Sequence, residues 1–230
     1  MAVIARNKIV TSGVGTVEPY AYLTKPDYGN EEKGFGNPRG VYKASLTLPN
    51  TDPMCQRMVQ DIVDTHEAHY AERVAEYNEN PPQVQRGKKP LLPYEGDLPF
   101  IDNGDGTTTF KYSCYASYQD KKTKETRHIN VMIVDSKGKK ITGEAVPLFI
   151  GGGSKIRIKY KLVPYSWNPT VGASVKLQID SFQLIELATS GGGESEWDEV
   201  EGGYEAQQED NGGWTEHDES GAASDDDEDF

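Results

Sequence analysis

Lys155, Arg157, Lys159 and Lys161 occupy alternate positions of one short segment, and Ile156, Ile158, Tyr160 and Leu162 fill the positions beside them. In a strand, period-two geometry places the four cations on one face, about 6.6 to 6.8 Å apart. Adjacent phosphates of a single nucleic-acid strand are separated by a comparable distance, so a backbone laid along this face meets one cation after another. Tyr165 and Trp167 follow at once, framed by Pro164, Asn168 and Pro169. An aromatic in a loop has a face free to stack on a base. Each stacked base contributes roughly 1 to 3 kcal/mol whatever its identity, while the cations supply a salt-sensitive term. Duplex DNA hides its base faces, so cations mixed with free rings favour an unpaired strand.

The row belongs to a longer basic stretch. Between Lys111 and Lys161 there are 12 basic residues, among them Lys111, against the acids Asp120, Glu125, Asp135 and Glu144, a local net of +8. Arg39, in the turn Gly36-Asn37-Pro38-Arg39-Gly40, and Arg6 and Lys8 near the N-terminus extend the candidate track. Taken singly, each Lys reads better as a solvated strand face or as edge protection. Tyr112, Tyr118 and Tyr160 share a parity with aliphatic residues and read as core. The collective arrangement reads as a binding surface.

Other groups with chemical potential fall short of a site. His66 and His69 lack the four-residue spacing of a zinc-protease helix, and a helix-surface or core role is the better reading. Asp102-Asn103-Gly104-Asp105-Gly106 begins like a calcium loop, but Ser113 stands at its twelfth position, so a tight turn is expected. Gly151-Gly152-Gly153-Ser154-Lys155 precedes a strand instead of a helix and reads as a turn or hinge, not a phosphate loop. No Ser/His/Asp or Cys/His arrangement can be assembled. The sequence therefore predicts neither an active site nor a metal or other cofactor.

Charge divides the chain. Residues 191–230 hold 16 carboxylates and no Lys or Arg, ending in Asp225, Asp226, Asp227, Glu228, Asp229 and Phe230. Subtracting them from the 37 acids and 24 bases of the whole leaves residues 1–190 with 21 acids and 24 bases, a net of +3. The formal charge of −13 thus reports the tail alone and does not argue against a polyanion partner. The tail composition cannot bury enough apolar surface to offset the entropy of ordering, which predicts disorder. Such a polyanion, tethered near a cationic groove, competes for it, and Phe230 points to docking on a basic partner surface with an apolar pocket. Two distant cysteines, Cys55 and Cys114, suit a reducing cytoplasm, and no apolar run reaches the ~18 to 20 residues of a membrane span.

The elements that must position these residues are mostly strands. Alternation is clearest over 41–48, 107–118, 155–162 and 175–187, where a parity change predicts a bulge near Ser181. Shorter strands are expected at 3–11, 16–24 and 127–134. One amphipathic helix starts at the N-cap Asp52 and Pro53, carries Met54, Met58, Ile62, His66, Tyr70, Val74 and Tyr77 along one face, and ends by Asn80 before Pro81 and Pro82. Several strands and one inserted helix in about 190 residues predict a mainly β protein, a small Greek-key barrel of the OB-fold type; a β-sandwich has a similar signature. The expected division is an OB-fold domain over 1–190 and the acidic tail over 191–230.

Longer strings carry a resemblance: Glu18-Pro19-Tyr20-Ala21-Tyr22, Lys25 through Glu32, Gly34 through Tyr42, Arg86-Gly87-Lys88-Lys89-Pro90, Asp120 through Thr126, and Leu162-Val163-Pro164-Tyr165. Through them the chain resembles the single-stranded DNA-binding proteins of short-tailed lytic bacteriophages across nearly all of residues 11–193. The resemblance implies an OB-fold with an inserted helix, a homodimer, strand annealing, and an acidic tail that contacts the replicative DNA polymerase and the primase-helicase. It also implies DNA contacts for Arg39, Lys111, Arg157, Lys159 and Tyr165, with Arg157 standing where the family has Lys. The expected function is sequence-independent single-strand binding in phage replication, in the cytoplasm of the infected host and without a membrane. The rivals are an acidic-tailed chaperone that binds no nucleic acid, and a nuclease.

Overall fold

Apolar side chains at every second position force long stretches of this chain into strands, and the strands close on themselves. The structure, a computed structural model, describes residues 8–83 and 89–188. Arg6, the string Arg86-Gly87-Lys88 and the acidic tail with Phe230 lie outside the described residues. The elements in order are β1 (Ile9–Thr11), β2 (Gly15–Val17), β3 (Tyr22–Asp27), β4 (Val41–Pro49), α1 (Pro53–Glu79), β5 (Phe100–Asp102), β6 (Thr107–Tyr115), β7 (Ser117–Gln119), β8 (Thr126–His128), β9 (Met132–Val134), β10 (Lys155–Tyr165) and β11 (Ser174–Glu186).

Five of these strands form a closed barrel in the order β2-β4-β6-β11-β10, with β10 returning to β2. Only the β6–β11 pairing within it is parallel. This is an OB-fold, and closure separates it from the β-sandwich that the same alternation permits. At the β10–β11 seam, Lys159 faces Ser181 while Tyr160 faces Ile179, which leaves Asp180 as the extra residue of a bulge. The bulge reconciles the parity change: Ile179 and Phe182 are both buried.

The barrel interior is lined as the alternation requires. Tyr42, Ala44, Leu46 and Leu48 of β4, Phe110, Tyr112 and Cys114 of β6, and Ile156, Ile158, Tyr160 and Leu162 of β10 are buried. The Tyr112 and Tyr160 rings meet edge to face at 5.3 Å. Each fully buried aliphatic or aromatic chain contributes about 1.5 to 3 kcal/mol before entropy is counted. Tyr118 corrects the sequence reading, because it is exposed. The strand expected over 107–118 breaks after Tyr115, and the consecutive burial of Ala116 and Ser117 reverses the parity before β7.

Helix α1 begins where Asp52 accepts a hydrogen bond from the Met54 amide at 2.8 Å, and ends at the C-cap Asn80. It lies against β10 and β11 and buries Cys55, Met58, Ile62, Thr65, His66 and His69. The expected stripe is therefore right at its centre, while Tyr70, Val74 and Tyr77 are half-buried. The Asp102–Gly106 segment is the turn of the β5–β6 hairpin. Its carboxylates accept from the Gly104 and Thr107 amides, and Gly104 and Gly106 adopt φ of 76° and 87°. Gly151 to Ser154 forms a second turn, leading into β10.

Candidate nucleic-acid interface

Because Ile156, Ile158, Tyr160 and Leu162 are drawn into the barrel, Lys155, Arg157, Lys159 and Lys161 are all displayed on the outer face of β10. Their surroundings differ. Lys155 Nζ lies 2.8 Å from Glu186 Oε2, which neutralises the first cation of the row. Arg157 Nε donates to the Ser12 carbonyl at 3.4 Å, a contact that braces its side chain. Arg157, Lys159 and Lys161 have no ion-pair partner among the described residues. Across the seam they face Gln183, Ser181 and Gln178. Of the two acids on β11, Glu186 is taken by Lys155, and Asp180 sits at the bulge with the Ser181 hydroxyl at 3.2 Å.

Strand β1 lies along the other edge of β10, with Ile9 opposite Lys161, so exposed Lys8 is placed near that end of the row. Tyr165 ends the same strand opposite Ser174, with 36% of its surface exposed. Trp167 has a different environment. Its ring meets Tyr70 at 6.1 Å and Tyr77 at 6.0 Å, both in edge-to-face geometry, so it holds the loop after β10 onto the helix instead of standing free.

Arg39 leaves the turn that Gly40 makes possible at φ 61°, and its guanidinium rests 3.6 Å from the centroid of the Tyr115 ring. Its Nε donates to the Ser117 carbonyl at 3.2 Å, and the Ser117 hydroxyl donates back to the Arg39 carbonyl at 3.0 Å. Lys176 Nζ approaches the same ring at 4.8 Å. Burial pulls the Lys176 ammonium below its ordinary pKa, and the Arg39 charge adds to this against the opposing effect of Cys114. Lys176 faces Val163 across the seam, between the partners of Lys161 and Tyr165. The Arg39–Tyr115–Lys176 cluster therefore adjoins the Tyr165 end of the row.

The sequence reading missed Tyr115 and Lys176. The signal was parity: both occupy polar positions of strongly alternating strands. Lys111 lies further along β6, exposed and opposite Ser45. It has no ion pair among the described residues. Beyond β6, the small β7–β8 hairpin carries Lys121, Lys122, Lys124 and Arg127; among the described residues only Arg127 of these approaches a carboxylate, Asp120, at 3.5 Å. No cluster of three or more His, Cys, Asp or Glu side chains among the described residues could hold a metal ion. No helix among them is long and apolar enough to cross a membrane.

Comparison with known proteins places this surface in context. A family model described as the single-stranded DNA-binding protein of bacteriophage T7 matches residues 14–187. The chain belongs to that family. It is 68% identical to the single-stranded DNA-binding protein of Enterobacteria phage T3, over 98% of both chains. Identity to the protein of the same name from Escherichia phage T7 is 65%, covering 97% of this chain and 99% of that one. Among solved structures, the crystal structure of gp2.5, a single-stranded DNA binding protein encoded by bacteriophage T7, superposes with a TM-score of 0.71 at 60% identity. That match covers 88% of this chain and all of the other. The strings that carried the resemblance, from Glu18-Pro19-Tyr20 to Pro164-Tyr165, lie within the span matched by the T7 family model.

Proposed function

We propose that this protein binds single-stranded DNA without sequence preference during phage DNA replication, protecting and annealing the strands it covers. The observation that carries this reading is the run Arg157, Lys159 and Lys161, without an ion-pair partner among the described residues, on one outer strand face and ending beside exposed Tyr165 and the Arg39–Tyr115–Lys176 cluster. A polyphosphate neutralises a row that otherwise repels itself, and the exposed ring accepts a base of any identity. Lys8, Lys111 and Arg6 extend the track, while Lys155 contributes less because Glu186 already answers its charge. The names of the T3 and T7 relatives support the same ligand.

In this reading residues 1–190 are the binding domain and residues 191–230 an acidic competitor for its surface. Displaced by DNA, the run Asp225 to Asp229 and Phe230 would recruit the replicative DNA polymerase and the primase-helicase. The protein would act as a homodimer in the cytoplasm of the infected host, with no cofactor and no catalytic step. A competition titration of unpaired DNA against RNA and duplex, with full-length protein and with residues 191–230 removed, tests the proposal. Tighter single-strand binding after truncation is expected, since the tethered polyanion is present at an effective concentration on the order of millimolar. Equal affinity for duplex and single strand, or none for either, overturns it.

A further inference from the structure

Tyr165 ends β10 beside the loop of residues 166–173 that returns the chain to β11, and the two halves of that loop are anchored differently. Trp167 packs the first half onto Tyr70 and Tyr77 of the helix. The second half is joined to a distant stretch of chain. The Ala173 amide donates to the Tyr94 carbonyl at 2.9 Å, and the Gly96 amide donates to the Ala173 carbonyl at 2.8 Å. Ser174 comes next, opposite Tyr165 in the register, and its hydroxyl donates to the Asp97 carbonyl at 2.6 Å. Residues 94–97 thus hold both the backbone before Ser174 and the side chain of Ser174 itself.

Barrel geometry brings this stretch there. Strands β6 and β11 pair at Tyr112 opposite Leu177, and toward lower residue numbers each takes another partner on the same edge. Phe100 to Asp102 pair with β6, and Glu95 bridges to Ala173. Residues 94–102 therefore close the gap that opens between the two strands. Closing it makes two backbones cross with no side chain between them. A Cβ on Gly172 would collide with the Glu95 carbonyl carbon and the Gly96 nitrogen, and a Cβ on Gly96 would lie 2.9 Å from the Gly172 oxygen. Neither glycine has a positive φ, so each is required for room and not for an unusual conformation. Glu95 adds a side-chain tie, with its Oε2 3.2 Å from Nε2 of buried His66 on the helix.

Directly opposed residues of an antiparallel pair project to the same face with Cβ atoms about 4.5 to 5.5 Å apart, so what fixes Ser174 also fixes the base of the Tyr165 side chain. Ser174 is fully buried, while Tyr165 keeps part of its ring in solvent. The ring is displayed from a footing tied to the rest of the barrel. We propose that Gly172 and Ser174 are positioning residues for Tyr165: the backbone crossing with Gly96 and the Ser174 hydroxyl set where that ring meets a base. Neither residue touches the ligand. This role rests on the single-strand reading above and involves none of its cations.

The test is a double-mutant cycle on the full-length protein, with Gly172→Ala and Ser174→Ala each made alone and together with Tyr165→Ala. Binding is measured on an oligothymidine strand and on an abasic strand with the same number of phosphates. Gly172→Ala should weaken oligothymidine binding by up to roughly 5- to 150-fold, the range for one base–aromatic contact, and leave abasic binding and the salt slope unchanged. Ser174→Ala removes the hydroxyl without a clash and should give a smaller loss of the same kind, so it carries the test where Gly172→Ala does not fold. Both losses should vanish in the Tyr165→Ala background, because an absent ring cannot be misplaced. Losses that add to that of Tyr165→Ala, equal losses on the abasic strand, or wild-type affinity in every single variant that folds overturn the positioning role alone. A wild-type chain that binds neither strand overturns the single-strand reading itself.

Discussion

Along β10, Arg157, Lys159 and Lys161 project from a strand with no carboxylate paired to them among the described residues, whereas Arg39 and Lys176 are gathered onto the ring of Tyr115. The first arrangement is a linear charge, of which Arg157 alone is braced, on the Ser12 carbonyl, among the described contacts of the three. The second holds two cations in a set geometry and keeps one of them partly desolvated. The comparison separates two contributions to one surface. In the function proposed above, the row would set how steeply binding depends on salt, and the ring-held pair where a phosphate sits.

The largest expected effect comes from removing the row. Replacing Arg157, Lys159 and Lys161 together with Ala should cost roughly tenfold in affinity per cation, from about 1.5 kcal/mol for a hydrogen bond to a charged group. The log–log salt slope should flatten by about 2, at about 0.7 per phosphate contact on single strands. An unchanged slope in a salt titration removes the row from the interface.

The next effect sharpens the contrast between two neighbouring aromatics. Tyr165→Ala should weaken single-strand binding by about 1 to 3 kcal/mol with no change in slope. Trp167→Ala should instead lower thermal stability, since each of its two edge-to-face contacts is worth about 0.5 to 1.5 kcal/mol. Melting curves and binding isotherms of the two variants should therefore show opposite patterns. A Trp167→Ala protein that melts normally but binds poorly would place that ring on the DNA.

Tyr115→Leu tests the ring-held pair while leaving both cations present. A cation–π contact at an accessible site contributes about 0.5 to 1 kcal/mol, so affinity should fall a few-fold at constant slope, and Tyr115→Phe should restore it. A flatter slope in Tyr115→Leu would mean that Arg39 and Lys176 are lost from the interface altogether.

The smallest effect concerns a cation that already has a partner. The Lys43 ammonium and the Gly29 amide hold the Asp27 carboxyl below its ordinary pKa of 3.8. The stabilisation is therefore complete above that ordinary value and is lost as pH falls through the lower folded one. Asp27→Asn should cost at most about 1 kcal/mol at neutral pH, because the pair is partly exposed. The cost should shrink in denaturant titrations repeated below pH 4.

How far the sequence reached varies with the range of the interaction. The row on β10, the inward residues of β4 and the start of α1 were legible because each depends on neighbours two to four positions away. The bulge was placed within one residue, at Asp180, because burying Ile179 and Phe182 together requires an extra residue between them. Tyr118 was misread because the break at Ala116 is made by partners elsewhere in the chain. The Ala116 amide donates to the Gly40 carbonyl, and its own carbonyl accepts from the Ile129 amide.

Alternation, capping and the uneven distribution of charge were properties of the sequence by itself, since local geometry and composition suffice to set them. Barrel closure alone decided which outward cations share a neighbourhood. It brought β6 beside β11 in a parallel pairing, and so Arg39, Tyr115 and Lys176 together from three distant segments. It also set the helix against β10 and β11, where Tyr70 and Tyr77 receive Trp167. No local rule contains such contacts, because their partners are chosen by the burial of the opposite faces of the same strands.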